Sequence, residues 1–240
     1  MAEVDWTFIG ADAATIRRGV TAAFTPPPAN ATNKFVFGFH SQVDSAAQSA
    51  MYLNKTNFAP LKNDAGSATG GVIQAALQRA PSTYTTGFSI GMFMCLQGTD
   101  VGQYAYVLGL SDNYPHEVVL AKCTLKADLK VDASYVLKKG SATYNPGTWV
   151  HLRLEVIVNP NGDVVLRALQ NDLNSNKVDS PSWQSISGID DFIDDSLGIN
   201  AASTGHPQPL AGGYAGVFFS STKSGCRALV DHVVVMRQKT

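Results

Sequence analysis

Apolar and polar residues alternate in short runs along most of the chain, and clusters of Gly, Asn, Asp, Pro and Ser separate the runs. In the stretch 149–158, WVHLRLEVIV, Val150, Leu152, Leu154 and Val156 share one parity, and His151, Arg153 and Glu155 share the other. A period of two puts successive side chains on opposite faces of a strand, so one set packs into a core and the other faces away from it. The pattern predicts that His151, Arg153 and Glu155 are solvated or line a groove. Asn161 and Gly162 then supply a two-residue turn that tolerates positive backbone angles, and VVLRALQ runs back. Similar alternation predicts strands over 34–40, 88–96, 103–110, 117–125, 135–137, 149–158, 164–170, 214–220 and 228–236. Short strands in this number, with no helix between most neighbours, predict an antiparallel sandwich or barrel rather than a parallel sheet.

Helix is expected only as a minor element, at 11–18 and at 71–79, where the Ala, Leu and Gln of GVIQAALQR favour helix over strand. Three prolines at 26–28 remove backbone donors and fix an extended bend. They mark 1–33 as a candidate N-terminal arm on a single domain spanning 1–240. Segments 171–182 and 200–213 read as long loops, where partners of β sandwiches are usually met.

Charge narrows the partners. The 18 basic and 19 acidic residues are spread along the chain without a basic block, which argues against nucleic acid. No run approaches the roughly 20 apolar residues that span a bilayer, so no membrane insertion is expected. The N-terminal MAEVDWTFIGADAATIRRGV lacks a basic start followed by an apolar run, and synthesis in the cytoplasm without a signal peptide is expected. Cys95, Cys123 and Cys226 are odd in number and set among apolar neighbours, as buried thiols are.

Three pieces of the chain carry a family resemblance. They are the hairpin YAYVLGLSDNYPHEVVLAKCTL at 104–125, the pair PGTWVHLRLEVIVNPNGDVVLRAL at 146–169, and the glycine-led ending GGYAGVFFSSTKSGCRALVDHVVVM at 212–236. Together they resemble the concanavalin A-like lectin and glucanase superfamily in its laminin-G-like branch. The resemblance implies an all-β fold: a two-sheet antiparallel jelly-roll sandwich whose last strand lies beside one from near the N-terminus.

Glycosidases of that superfamily place paired carboxylates across a sugar ring. This chain has only Glu3, Glu117 and Glu155; Asp5 follows Glu3 at a spacing of two, but neither Glu117 nor Glu155 has a second carboxylate two or four residues on. A lone carboxylate beside an arginine suits an ion pair better than a general acid. GFSIG at 87–91 fits a nucleophile-elbow pattern around Ser89, but the apolar alternation that follows, MFMCLQG, is strand rather than helix. The five histidines, His40, His116, His151, His206 and His232, show no zinc-ligand spacing. The acidic segment GIDDFIDDS offers Asp190, Asp191, Asp194 and Asp195 as calcium candidates, calcium being common in laminin-G-like relatives; otherwise no cofactor is expected.

Sugar binding needs aromatic faces with planar hydrogen-bonding groups beside them. Tyr114 and His116 in the turn SDNYPH, Arg153, and Trp183 after the long loop are the candidates. Each aromatic also has a plain structural reading, Tyr114 as a cover for the hairpin tip and Trp183 as a plug at the sandwich edge. The resulting expectation is a non-catalytic virion structural or interaction protein, a decoration, fibre or tail component. It would be displayed on a virion surface with other virion or assembly proteins as partners, as a homo-oligomer. A carbohydrate-binding module meeting surface glycans is the alternative, followed by a glycan-active hydrolase or lyase.

Overall fold

The computed structural model describes residues 6–10, 16–19, 36–40, 48–54, 69–79, 88–98, 103–111, 117–125, 131–195, 208–221 and 227–239. Among the described residues every regular element is a strand. From edge to edge, the first sheet runs β1 (Trp6–Gly10), β4 (Gln48–Asn54), β14 (Tyr214–Ser221), β6 (Phe88–Leu96), β7 (Tyr104–Ser111), β8 (Glu117–Leu125) and β9 (Val131–Thr143). The second runs β12 (Trp183–Ser185), β11 (Val164–Asn171), β10 (Trp149–Val158), β5 (Thr69–Arg79), β15 (Arg227–Lys239), β3 (Val36–His40) and β2 (Ile16–Gly19), and β13 (Phe192–Asp194) also pairs with β11. The pairings are antiparallel, and β15 lies beside β3, so the closing strand meets an early one as the resemblance implies.

One core fills the space between the sheets. Met92, Met94, Tyr106, Leu108 and Leu110 from the first sheet meet Ile73, Leu77, Leu152, Leu154 and Leu166 from the second. Each fully buried side chain of this size contributes roughly 1.5–3 kcal/mol. On the other parity of the first sheet, Phe93, Val107, Val119, Cys123 and Phe218 form a second apolar cluster. Cys95 and Cys123 are buried cysteines outside any disulfide, and burial pushes Cys95 up to about 12. Cys226 and its setting lie outside the described residues.

The helix expected at 71–79 is instead β5, between β10 and β15 in the second sheet. Ile73, Ala75 and Leu77 enter the sandwich, while Val72, Ala76 and Gln78 are buried on the opposite face. A strand covered on both faces loses its alternation. Helix propensity amounts to tenths of a kcal/mol per residue, which two hydrogen-bonded ladders and burial readily override. Of the helix expected at 11–18, residues 16–18 belong to β2 and 11–15 lie outside the described residues. The chain does reverse there, but over a five-residue loop, 159–163, with Pro160 and Asn161 at the centre of the turn: the Gly162 N–H donates to the Asn159 carbonyl at 3.0 Å, and of the expected pair only Gly162 has positive φ, +96°.

Candidate functional site

The odd residues of β10 do face away from the sandwich core, yet they are not solvated. His151 is 0% exposed and the Glu155 side chain 7%. Their cover comes from the segment after β11, which returns as β12 in register with Asn171 and Leu169. The Trp183 ring lies 4.7 Å from the His151 ring at an angle of 59°. Asn171, opposite His151 in the ladder, pins the intervening loop. Its Oδ1 accepts from the Ser182 N–H at 3.0 Å, and its Nδ2 reaches His151 Nδ1 at 3.2 Å and the Lys177 carbonyl at 3.4 Å. Because the Ser182 donor fixes which end of the amide is oxygen, His151 Nδ1 accepts and the neutral ring carries its proton on Nε2.

Beyond His151 runs a ladder of ion pairs. Arg153 donates to Glu155 Oε1 through Nε at 2.7 Å and Nη2 at 2.6 Å. Arg167 approaches Glu155 Oε2 at 3.4 Å and holds Asp191 with two bonds of 3.0 and 2.8 Å. The Asp191 bond raises Arg167 and, reciprocally, lowers Asp191, although both side chains are exposed enough for solvent to weaken the pair. Glu155 is thus an ion-pair partner held between two guanidinium groups. The Arg153 guanidinium lies 5.7 Å from the centre of the Trp183 ring. Two residues singled out from sequence, Arg153 and Trp183, are therefore neighbours. Tyr114 and His116 lie outside the described residues.

A second tie holds the loop down. His232 Nε2 and Asp179 Oδ1 are 2.6 Å apart, and His232 Nδ1 lies 3.4 Å from Asp231 Oδ2. The register of β15 shifts between Asp231 and Val234, and His232 sits in that irregularity at φ +49°, a conformation unusual for a side-chain-bearing residue. The two histidines titrate in opposite senses. Burial, with His232 nearby, lowers His151 from 6.5 to about 4, whereas hydrogen bonds and charge from Asp231 and Asp179 raise His232 against its own burial. Between pH 4 and 6.5 the unfolded chain binds a proton that folded His151 refuses, so stability falls by about 3 kcal/mol as pH drops through that window. His232 adds stability that is fully present below pH 6.5 and lost as pH rises through its raised folded value. Urea denaturation across pH is expected to show a maximum near 6.5 from this pair, with His232→Gln flattening the basic side and leaving the acid side steep.

The four aspartates proposed for calcium differ in their surroundings, Asp195 being half-buried. Asp194 is directed inward, where Tyr106 and Lys122 hold it; Asp191 is committed to Arg167; Asp190 is exposed. Among the described residues no three His, Cys, Asp or Glu side chains gather as metal ligands. A carboxylate already neutralised by an ammonium or guanidinium does not suit a hard cation, which needs several unclaimed oxygens. Sequence reasoning missed Asn171, Asp179 and Lys122. Of these, Lys122 left a signal, a charge on the inward parity of β8 between Leu120 and Thr124.

No family model and no curated protein sequence matches the chain. Solved structures do match its fold. A seed lectin from Lotus tetragonolobus is 8% identical with a TM-score of 0.53, covering 100% of this chain and 96% of that one. The exoplasmic/lumenal domain of VIP36 in a Ca2+/Man3GlcNAc-bound form is 10% identical with a TM-score of 0.52, covering 99% and 86%. Lectin I from Ulex europaeus, in complex with the methyl glycoside of alpha-L-fucose, is 8% identical with a TM-score of 0.51, covering 98% and 92%. Likeness at this identity establishes the fold, a concanavalin A-like jelly-roll sandwich of two antiparallel sheets.

Proposed function

We propose that this protein binds carbohydrate, and that the recognition face is the outer surface of β10, β11 and β12 around Trp183 and Arg153. The observation that carries the reading is the Arg153 guanidinium, held by Glu155 beside the half-buried Trp183 ring. It places a fixed planar donor next to an apolar aromatic surface, the combination that a sugar's hydroxyls and C–H face require. The neighbours of this fold support it, since two are named with a bound saccharide or glycoside. Within the ladder each guanidinium is matched by a carboxylate, which favours an uncharged sugar over an acidic one. Calcium is named with one neighbour, but Asp191 and Asp194 of the acidic segment are already paired with Arg167 and Lys122, and the proposed site does not draw on it. Nothing among the described residues points to a virion partner, and display on a particle forms no part of the proposal.

A glycan array tests the reading, with Arg153→Ala and Trp183→Ala as paired variants. Arg153→Ala leaves Glu155 with Arg167, so the cost is about 1–2 kcal/mol and the protein stays folded. Binding of whichever sugar the wild type retains should fall at least about tenfold in either variant, as expected when about 1.4 kcal/mol is lost. A wild-type array blank across neutral sugar classes removes the proposal.

A further inference from the structure

Among the described residues Lys122 is a fully buried cation on the side of β8 that faces the core between the sheets. It lies on β8 with Val118 and Leu120, whose side chains pack between the sheets, and it is 0% exposed. Its Nζ donates to Asp194 Oδ2 at 2.6 Å and to the Gln208 main-chain carbonyl at 3.1 Å. The Tyr106 hydroxyl donates to the same Oδ2 and accepts from the Leu210 N–H at 2.9 Å. The ammonium lies 5.4 Å from the centre of the Tyr106 ring. Three separate parts of the chain thus meet at one charge: β7 and β8 of the first sheet, β13 of the second, and the segment 208–210. A carboxylate oxygen and a main-chain carbonyl oxygen meeting at one buried point are donors of the kind that receive a hard cation. Here the chain supplies the cation itself.

We infer that Lys122 is a tethered cation, its ammonium held by Asp194 and the Gln208 carbonyl while Tyr106 braces the same Asp194 oxygen, and that it clamps β13 and the 208–210 segment to the first sheet as a bound metal ion would. The inference stands apart from sugar binding, because it concerns the inside of the sandwich. Burial lowers Lys122, with Asp194 acting against the shift, and burial together with Asp194 raises Tyr106 well above its ordinary range, which keeps the phenol a neutral donor. An ammonium suits this place because its three donors can be shared among separate acceptors. Calcium would need six to eight oxygens in place of the lysine, and the two cannot occupy Asp194 together.

Chemical rescue is the test. Lys122→Ala should lower Tm by roughly 10 °C, since it strands a buried carboxylate. Propylammonium chloride should then restore a few degrees that sodium chloride at equal ionic strength does not, and should leave the wild type unchanged. Equal response to the two salts overturns the inference. If Lys122→Ala does not fold, the wild type decides by nuclear magnetic resonance. The Lys122 Nζ signal, assigned by contacts to the Tyr106 ring, should carry slowly exchanging ammonium protons at pH 7, and a neutral amine there overturns the inference. A rise in wild-type Tm on adding calcium that Asp194→Asn abolishes overturns it as well.

Discussion

Leu154→Asp is expected to leave the chain without a folded state, seen as loss of the cooperative thermal transition and of near-ultraviolet circular dichroism. Leu154 is 0% exposed in the middle of β10, opposite Ala168 of β11 on one side and Ile73 of β5 on the other. Replacing it forfeits roughly 2–3 kcal/mol of apolar burial. The new carboxylate would lie between the apolar side chains of Ala168 and Ile73, and its desolvation adds several kcal/mol more. Against a total stability of roughly 5–15 kcal/mol the sum is decisive. Leu154→Ala, which makes a cavity but buries no charge, should cost about 2–5 kcal/mol and remain folded. The neighbouring Arg153→Ala points the other way and should be tolerated, so the pair reports parity directly. A stable Leu154→Asp protein would mean that the two faces of β10 are exchanged.

Parity was legible where one face of a strand is apolar. The bounds read for 88–96, 117–125 and 149–158 coincide with β6, β8 and β10. It was not legible in β5, where Val72 and Ala76 are buried on one face and Ile73, Ala75 and Leu77 on the other, leaving no alternation to detect. Nor could it reveal β12 and β13, three residues each, whose strand character comes from pairing with β11 rather than from their own composition. The same limit governs the candidate site. Sequence placed His151, Arg153 and Glu155 on one face, but burial of that face depends on residues 172–185, which come back over it only after β11 has paired. The partners of Asp194 show the limit most sharply. In GIDDFIDDS it is one of four similar aspartates, and only the fold brings it to Lys122, 72 residues away, and to Tyr106, 88 residues away. Arg153 and Trp183 could be nominated because each has a chemistry suited to sugars. Asn171 could not, because its role is to hold a loop whose path was unknown.

Gly213→Ala is expected to cost about 3–5 kcal/mol, and Gly162→Ala only about 1–2 kcal/mol, when both are compared with the wild type by urea denaturation. Both glycines have positive φ, +130° at Gly213 and +96° at Gly162, so a side chain strains the backbone at either. The difference lies in what the new methyl meets. At Gly162, in the exposed turn after β10, nothing stands within 4 Å. At Gly213 a Cβ would overlap the Leu96 carbonyl oxygen and lie 2.7 Å from its carbon and 2.8 Å from the Cys95 carbonyl carbon. All three are main-chain atoms of β6, so no flexible side chain can yield. The backbone is pinned there as well: Gln97 Nε2 donates to the Gly212 carbonyl at 2.8 Å and to the Cys95 carbonyl at 3.0 Å. Cys95 is itself at φ +60°, where the pairing of β14 with β6 changes register between Tyr214 and Gly216. Relief of the overlap must therefore move β14 against β6 in the middle of the first sheet, at the cost of that local hydrogen bonding. Equal losses in the two variants would show that backbone angle alone sets the penalty, and that the close approach of the two strands at Gly213 contributes nothing.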